Sequence, residues 1–284
     1  MSSNIVSVEQ LKARLENGER IVLLDVRFDP KESSYGREAY AKGHIPGALF
    51  IDFKADLTDP AEKHGGRSPL PSPERLATLF GSLGIERDTA VVAYEDGNGP
   101  AASRLWWVLR YLGAEQVQVL NGGYSAWTDA GEAVSAEQVI VTEPREFVPA
   151  PQADWLVGVE EVREVAGDQR QGGARLVDSR DAAQYAGLEA PFDHISGHIP
   201  GAANYFWKDA LQGDGFWKSP EQLREQFANL PKEDEIIVYC GSGISATPNV
   251  LALREAGYEN VKLYAGSWSD WISYDENPIA TGDE

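Results

Sequence analysis

Short apolar runs alternate with amphipathic stretches along most of the chain. Four runs have the near-continuous apolar character of strands that are buried on both faces; they are residues 21–26, 90–94, 175–178 and 235–239. Helical patterns lie before and between these runs, as where Leu11 and Leu15, ahead of the first run, share one face. This alternation predicts an α/β fold, in which each mostly parallel central sheet is flanked by helices on both faces.

Several of the predicted helices have recognisable ends. Ser7 and Gln10 have the spacing of a capping box, in which each side chain bonds to the backbone of the other residue. Ser72 and Ser219 are each followed by a proline, which suits the first position of a helix. Gly84 follows the helix that Ser72 begins, as expected of a stop signal.

The chain contains one internal repeat. The hexapeptide Gly-His-Ile-Pro-Gly-Ala occurs at residues 43–48 and again, unchanged, at 197–202. Ordered matches at similar offsets do not arise by chance, so the sequence predicts two copies of one domain. The other matching segments are 24–27 with 177–180, 72–76 with 219–223, 91–94 with 236–239, and 122–127 with 266–271.

The repeat fixes the predicted domain organisation. Residues 1–131 form the first domain and residues 155–284 the second, and the Ala-, Val-, Pro- and Gln-containing stretch 132–154 is the predicted linker. Ligands of parallel sheets bind beyond the carboxyl ends of the strands. The chemistry is therefore expected directly after Tyr94 or Tyr239.

Composition narrows the classes of partner. The net charge of −20 predicts that nucleic acid and anionic membrane surfaces are repelled, and neither a membrane span nor a signal peptide is evident in the sequence. One cysteine cannot form an internal disulfide, and four scattered histidines predict no metal cluster, so no metal or cofactor is expected. A reducing, cytoplasmic compartment is the expectation.

The two copies differ after their second predicted strand. The first copy continues with Glu95, whereas the second continues with Cys240 and the loop Gly241-Ser-Gly-Ile-Ser245. A cysteine between a buried strand and a helix N-terminus meets backbone amides and the positive end of the helix dipole. Glycines let such a loop curl into an anion nest that favours the thiolate, which is the nucleophilic form. The alternative is a lone buried cysteine that acts as a small apolar residue.

At these motifs the chain resembles the tandem-domain rhodanese family of thiosulfate and 3-mercaptopyruvate sulfurtransferases, over nearly its full length. The resemblance rests on the repeated hexapeptide, the paired Asp-x-Arg, the strand that ends in Cys240, and the tryptophan-containing segments that close each copy. It implies two rhodanese-like domains, of which the first is catalytically silent because Glu95 cannot act as a sulfur nucleophile. It also implies that Cys240 takes a sulfur atom from a small donor as a persulfide and passes it to a thiol, cyanide or another nucleophile.

The resemblance also suggests roles for neighbouring residues. Ser242 matches a serine with a catalytic role in mercaptopyruvate enzymes, although a small residue also suits a tight turn. Arg180 is a candidate for substrate binding, with a structural pairing to Asp178 as an equal alternative. The remaining predicted substrate-binding residues are the loop positions Gly241, Gly243, Ile244 and Ser245.

The sequence does not choose between 3-mercaptopyruvate and thiosulfate as the sulfur donor. The Cys-Gly-Ser-Gly opening resembles the mercaptopyruvate branch, but the two arginines that this branch uses for the substrate carboxylate are missing. One position falls at Gln184 and the other within residues 190–194, which contain no arginine. A lost bidentate arginine clamp weakens recognition of a carboxylate. Lys54 and His64 lie where the family contributes groups to its site, with His64 expected to be a surface residue.

Three further expectations complete the sequence analysis. His44 and His198 occur in both copies of the hexapeptide, so a structural role is expected for each. A phosphatase with a Cys-headed anion loop would need an arginine six residues after the cysteine to hold the phosphate. That position is Ala246, which disfavours a phosphatase. A persulfide carrier or sensor module that binds a partner protein, with little turnover of small donors, is the alternative function.

Overall fold

The computed structural model describes residues 3–97, 99–167 and 173–282. It divides into two compact units, each of which is described by itself. The first unit comprises the described residues of Met1–Thr58, Pro71–Gln152 and Gly213–Trp217. The second comprises those of Asp59–Leu70, Ala153–Gln212 and Lys218–Glu284.

The first unit contains five strands and six α-helices among its described residues. In chain order these are β1 Ile5–Val6, α1 Val8–Glu16, β2 Ile21–Asp25, α2 Tyr35–Lys42, β3 Leu49–Phe50, α3 Phe53–Leu57, α4 Pro73–Ser82, β4 Ala90–Tyr94, α5 Pro100–Tyr111, β5 Val117–Leu120 and α6 Gly123–Asp129.

The second unit has the same succession of strands, with shorter helices and two 3-10 turns. Its elements are a 3-10 turn Ala153–Trp155, β6 Leu156–Val157, α7 Val159–Val165, β7 Ala174–Asp178, α8 Ala182–Tyr185, β8 Ala203–Asn204, a 3-10 turn Trp207–Ala210, α9 Pro220–Gln226, β9 Glu235–Tyr239, α10 Thr247–Glu255, β10 Val261–Tyr264 and α11 Ser267–Trp271.

Each unit is built on one five-stranded sheet. The strand orders are β1-β5-β4-β2-β3 and β6-β10-β9-β7-β8, so the second sheet repeats the first. Every pairing between these strands is parallel. The predicted α/β fold with parallel sheets is confirmed, and the carboxyl ends of the central strands β4 and β9 meet the loops that the sequence singled out.

The predicted helix ends are present. Ser7 and Gln10 form the complete capping box of α1. The side chains of Ser72 and Ser219 accept hydrogen bonds from the backbone at the starts of α4 and α9, each of which has proline in its first turn. Gly84 follows α4 with a φ of +74°, the left-handed conformation that favours glycine after a helix.

The repeated hexapeptide has a structural role in both units. The Tyr94 hydroxyl at the end of β4 accepts a hydrogen bond from the Ile45 amide at 3.2 Å. Tyr239 at the end of β9 accepts the equivalent bond from Ile199 at 3.1 Å. These four side chains are buried in the cores of their units, so the hexapeptide holds the loop before β3 or β8 against the central strand.

Two short segments pack in the unit formed mainly by the other half of the chain. Residues 59–70 follow α3 in sequence but belong to the second unit, and residues 213–217 belong to the first. The predicted boundary at 132–154 assigns both segments to the opposite domains. Within the first unit, the Trp217 amide donates to Asn121 Oδ1 at 3.0 Å, and the indole is buried. No helix among the described residues is long and apolar enough to cross a membrane.

Candidate active site

Cys240 follows β9 directly and is almost completely buried. Its Sγ atom accepts a hydrogen bond from the backbone amide of Gly243 at 3.2 Å. The loop therefore curls back over the sulfur before α10 begins at Thr247. A hydrogen bond from an amide to the sulfur stabilises the thiolate more strongly than it stabilises the neutral thiol.

Gly243 is the position at which this loop requires glycine. Its φ is +77°, in the left-handed region that side chains disfavour. A Cβ atom at this position would also collide with the carbonyl oxygen of Ala265, at the end of β10. The close approach of two backbones fixes the turn that brings the Gly243 amide to the sulfur.

Most amides of the loop are available to an anion. Between residues 241 and 247, only the amides of Gly243 and Thr247 donate to a protein acceptor within the described part of the chain; Thr247 donates to Ile244 O at 3.1 Å. The others precede the N-terminus of α10, where the helix dipole is positive. This arrangement can hold an anionic group bound to or beside the sulfur.

Ser267 supports the cysteine from the start of α11. Its Oγ accepts a hydrogen bond from the Cys240 amide at 3.1 Å and donates one to the Tyr264 carbonyl at 2.9 Å. Ser267 has a φ of +57°, the sole positive φ outside glycine in the described ranges 3–97, 99–167 and 173–282. Such strain persists where surrounding contacts enforce it. The internal repeat could have indicated this conformation, because the first copy has a glycine, Gly123, at the position that matches Ser267, and its φ is +58°.

Arg180 is engaged in a buried ion pair. Its guanidinium bonds to Asp178, with a shortest distance of 2.5 Å, and Nη2 donates to the Gly197 carbonyl at 2.7 Å. Burial lowers the pKa of Arg180, but the negative charge and the hydrogen bonds of Asp178 outweigh it and raise that pKa above its ordinary range. The contacts fit the bracing alternative, while the positive charge still acts on Cys240 through space.

The other predicted loop residues line the mouth of the turn. Ser242, Ile244 and Ser245 are each half-buried, whereas Gly241 is buried. The hydroxyl of Ser242 has no hydrogen-bond partner among the residues that the structure describes, so it is available to a bound substrate. Gln184, at an expected arginine position, bonds to Asp181 at the start of α8.

Sequence reasoning missed Arg67, which the segment 59–70 brings to the second unit. The guanidinium of Arg67 forms an ion pair with Asp193 and lies over the ring of Phe192 at 5.6 Å. A Cβ atom at Gly241 would lie 2.6 Å from Arg67 Nη2, so the guanidinium covers the residue after Cys240. Nothing in the repeat pointed to Arg67, because its segment has no match in the second copy.

His64 enters the second unit on the same segment. Its Nδ1 lies 2.7 Å from Ser273 Oγ, and its ring stacks on Tyr274 with 4.1 Å between centroids. These contacts anchor the segment, and the ring is half-buried rather than fully exposed as a surface residue would be. Lys54 is exposed on α3 of the first unit, with its Nζ 6.0 Å from the ring of Phe28.

The histidines of the hexapeptide have matching structural surroundings. His44 is buried, stacks on Tyr40 and has its Nδ1 2.9 Å from the Tyr40 carbonyl oxygen. His198 is buried against Tyr185, with Nδ1 2.8 Å from that residue's carbonyl oxygen. Both contacts fit the structural role that the sequence predicts.

The first unit fills the equivalent loop with its own carboxylate. Glu95 follows β4, is buried, and accepts a hydrogen bond from the Ala102 amide at 2.9 Å. Burial raises the pKa of Glu95 to about 8, against the lowering effect of hydrogen bonds from the amides of Ala102, Ala101 and Gly99. The carboxyl group thus takes the place that an anion would occupy.

Comparison with known proteins agrees with this architecture. The rhodanese-like domain matches the chain twice, over residues 7–130 and 161–274. A probable 3-mercaptopyruvate sulfurtransferase of Pseudomonas aeruginosa is 40% identical over 287 residues, covering 99% of both chains. A putative thiosulfate sulfurtransferase, SseB of Mycobacterium tuberculosis, is 33% identical and covers 98% of this chain and 97% of the relative.

A solved structure agrees over a similar span. The crystal structure of SseA from Escherichia coli, from work on the rhodanese fold of 3-mercaptopyruvate sulfotransferases, has a TM-score of 0.81 at 31% identity. The match covers 94% of this chain and 100% of SseA. Both domains and nearly the whole length are thus matched by sequence and by fold, and the chain belongs to the rhodanese family as a two-domain sulfurtransferase.

Proposed function

We propose that this sulfurtransferase carries sulfur as a persulfide on Cys240. The observation that carries the proposal is the hydrogen bond from the Gly243 amide to Cys240 Sγ at 3.2 Å, inside a loop whose other amides face no protein acceptor in the described chain. A thiolate and a persulfide are both anions, so the same amides stabilise the enzyme before and after it accepts sulfur.

The first half-reaction is a displacement at sulfur. The Cys240 thiolate attacks the outer sulfur of thiosulfate, the new S–S bond forms, and the S–S bond of the donor breaks as sulfite leaves with the electron pair. With 3-mercaptopyruvate, the C–S bond breaks instead, and the proton of the donor thiol ends on the carbon of the departing pyruvate. An acceptor thiolate or cyanide then attacks the outer persulfide sulfur and restores the Cys240 thiolate.

The neighbouring residues have distinct proposed roles. The amides of Gly241, Gly243, Ile244 and Ser245 bind the anion, and the Ser242 hydroxyl transfers a proton to the enolate of pyruvate. Arg180, also predicted to bind substrate, instead contributes positive potential from its buried pair with Asp178.

The first unit is proposed to be catalytically silent. Glu95 stands where Cys240 stands in the second unit, and its carboxyl group accepts the hydrogen bond from Ala102. A carboxylate can neither carry a sulfane sulfur nor vacate the loop for a donor.

The small donor is thiosulfate or 3-mercaptopyruvate. The proposed compartment is the cytoplasm, where reducing conditions supply acceptor thiols. The net charge of −20 supports solubility and the repulsion of nucleic acid and anionic membranes.

Mass spectrometry of the intact protein tests the proposal. After incubation with either donor and no acceptor, the wild-type protein gains one sulfur atom, and peptide mapping places it on Cys240. The Cys240→Ser variant gains none and loses turnover, whereas Glu95→Ala keeps both. Persulfide or turnover in the Cys240→Ser variant contradicts the mechanism. A persulfide that forms and then transfers only to a protein would favour the carrier function instead.

A further inference from the structure

We propose that Arg67 binds the anionic group of the sulfur donor and is a specificity-determining residue of this enzyme. The inference rests on the proposed function of Cys240 and deepens it, because it names the cation that recognises the substrate. The shared chemistry is an oxyanion close to the transferred sulfur, which is a carboxylate in 3-mercaptopyruvate and a sulfonate-like group in thiosulfate.

The guanidinium of Arg67 lies at the mouth of the Cys240 loop. Its Nη2 atom lies 2.6 Å from the point where a Gly241 side chain would begin, so the guanidinium rests directly on the residue after the nucleophile. Any donor whose outer sulfur reaches Cys240 has to place its remaining atoms along the mouth of this loop. An oxyanion in that space meets Arg67 from one side and the loop amides from the other.

The guanidinium of Arg67 can bind a substrate oxygen, whereas that of Arg180 is largely occupied. Arg180 is only 5% exposed, and its Nε and Nη2 donors are committed to Asp178 and the Gly197 carbonyl. The Arg67 side chain is 33% exposed, and within the described residues Asp193 is the sole acceptor of its guanidinium, at Nη1. Nη2 is therefore free for a second, substrate-derived oxygen, as the forked geometry of arginine allows.

Arg67 is also held rigidly. Its own amide donates to Ser269 Oγ at 3.1 Å, and the Gly65 amide donates to Asp270 Oδ1 at 2.7 Å. Gly66 packs so closely against Gly266 that a Cβ atom would collide with its carbonyl oxygen. A guanidinium fixed in this way by its own backbone and by Asp193 pays little entropy when it binds a donor.

The electrostatics of the chain make such a cation necessary. The net charge of −20 repels small anionic donors at long range. Asp193, which is 8% exposed, offsets part of the Arg67 charge, so Arg67 acts through directed hydrogen bonds more than through net positive potential. Its recognition is accordingly short-ranged and depends on geometry.

Steady-state kinetics with each donor test the proposal. In Arg67→Ala, the KM for thiosulfate and for 3-mercaptopyruvate rises by about 10- to 100-fold, the range expected for a lost charged hydrogen bond, with a smaller change in kcat. Arg67→Lys recovers part of the loss. The matched control is Arg224→Ala, which removes an exposed arginine of α9 and leaves KM unchanged.

A double-mutant cycle with Gly241 separates recognition from folding. The backbone of Gly241 does not have a positive φ, so alanine is compatible with it. The added Cβ atom would lie 2.6 Å from Arg67 Nη2, so Gly241→Ala forces the guanidinium out of its position and raises KM in the wild-type background. In the Arg67→Ala background the same change has little effect. Additive effects of the two substitutions overturn the proposal, as does an unchanged KM in Arg67→Ala for both donors.

The proposed function of Cys240 and the proposed role of Arg67 are contradicted by different results. If the wild-type protein gains no sulfur on Cys240 with either donor, the proposed function is wrong. If it gains sulfur normally and Arg67→Ala does so with the same dependence on donor concentration, the function stands and the role of Arg67 is wrong. A raised KM for one donor only supports Arg67 and identifies the donor for which this site is built.

Discussion

The carboxyl group of Glu95 accepts a hydrogen bond from the amide of Ala102 at 2.9 Å, across the loop that links β4 to α5. In the second unit Cys240 stands at the position of Glu95, and its sulfur accepts a hydrogen bond from the Gly243 amide, within the loop itself. The two copies therefore keep the same kind of loop but fill it differently. In the first copy the acceptor is a carboxyl group, and in the second it is the sulfur atom of the proposed nucleophile.

Glu95 makes the stability of the protein depend on pH. Burial raises its pKa to about 8 from an ordinary value of 4.5, so the folded state holds this proton more tightly than the unfolded chain does. The associated stability is complete below pH 4.5 and is lost as the pH rises through about 8. We expect the Tm of the wild-type protein to fall relative to that of Glu95→Gln between about pH 4.5 and 8, and the difference to level off at higher pH.

Differential scanning calorimetry at a series of pH values checks this prediction. Glu137→Gln is the control, because it removes an exposed carboxylate of the first unit. The difference in Tm between wild type and this control should not change with pH in the same way. A constant difference between wild type and Glu95→Gln across the range would contradict the assignment.

Ser242→Ala should separate the two candidate donors. The enolate that leaves 3-mercaptopyruvate needs a proton, whereas sulfite leaves thiosulfate without one. We expect kcat with 3-mercaptopyruvate to fall by about 10²- to 10⁴-fold, the usual contribution of a positioned proton donor, and kcat with thiosulfate to change much less. Parallel turnover assays decide, and equal losses with both donors would show that Ser242 acts only in shaping the loop.

Gly243→Ala should disrupt the loop around Cys240. Alanine at a φ of +77° costs roughly 1–2 kcal/mol, and its Cβ atom would collide with the Ala265 carbonyl. We expect a lower midpoint of urea unfolding and a large loss of persulfide formation. Gly213→Ala is the control, since a Cβ atom there meets open space; equal behaviour of the two variants would refute the prediction.

The buried pair of Asp178 and Arg180 should be more important for stability than any exposed pair. Asp178→Asn leaves the guanidinium of Arg180 buried without its counter-charge, which costs about 3–5 kcal/mol. Urea unfolding measures the loss. Glu221→Gln, which breaks the exposed pair with Arg224, should change the stability far less, because solvent screens an exposed ion pair. Similar losses for both variants would argue against the bracing role of Arg180.

The features that could be predicted from the sequence are local or repeated. Continuous apolar runs are typical of strands buried on both faces, and β2, β4, β7 and β9 all lie within one residue of the predicted runs. The capping signals at Ser7, Ser72 and Ser219 act within one turn of chain, so tertiary packing does not override them. The internal repeat and the loop after Cys240 could also be predicted, because both can be seen in residues that are adjacent in the chain or repeated along it.

Two features of the candidate site have a signal in the sequence that becomes definite only in the packed structure. Ser267 adopts its positive φ because it bonds at once to the Cys240 amide and the Tyr264 carbonyl. For Arg180 the sequence left substrate binding and a pairing with Asp178 as equal alternatives, and the packing shows the buried pair, as it does for Arg27 and Asp25.

The sequence by itself determined the α/β fold, the duplication, and the cysteine at the end of the fourth strand of the second sheet, since these follow from apolar periodicity and from residues adjacent in the chain. Only the tertiary structure decided which cation accompanies that cysteine. Arg67 reaches Gly241 because residues 59–70 pack in the second unit, although they follow α3 of the first. The reason is physical: a contact between residues far apart in sequence is made by packing, and the neighbours of either residue in the chain carry no trace of it.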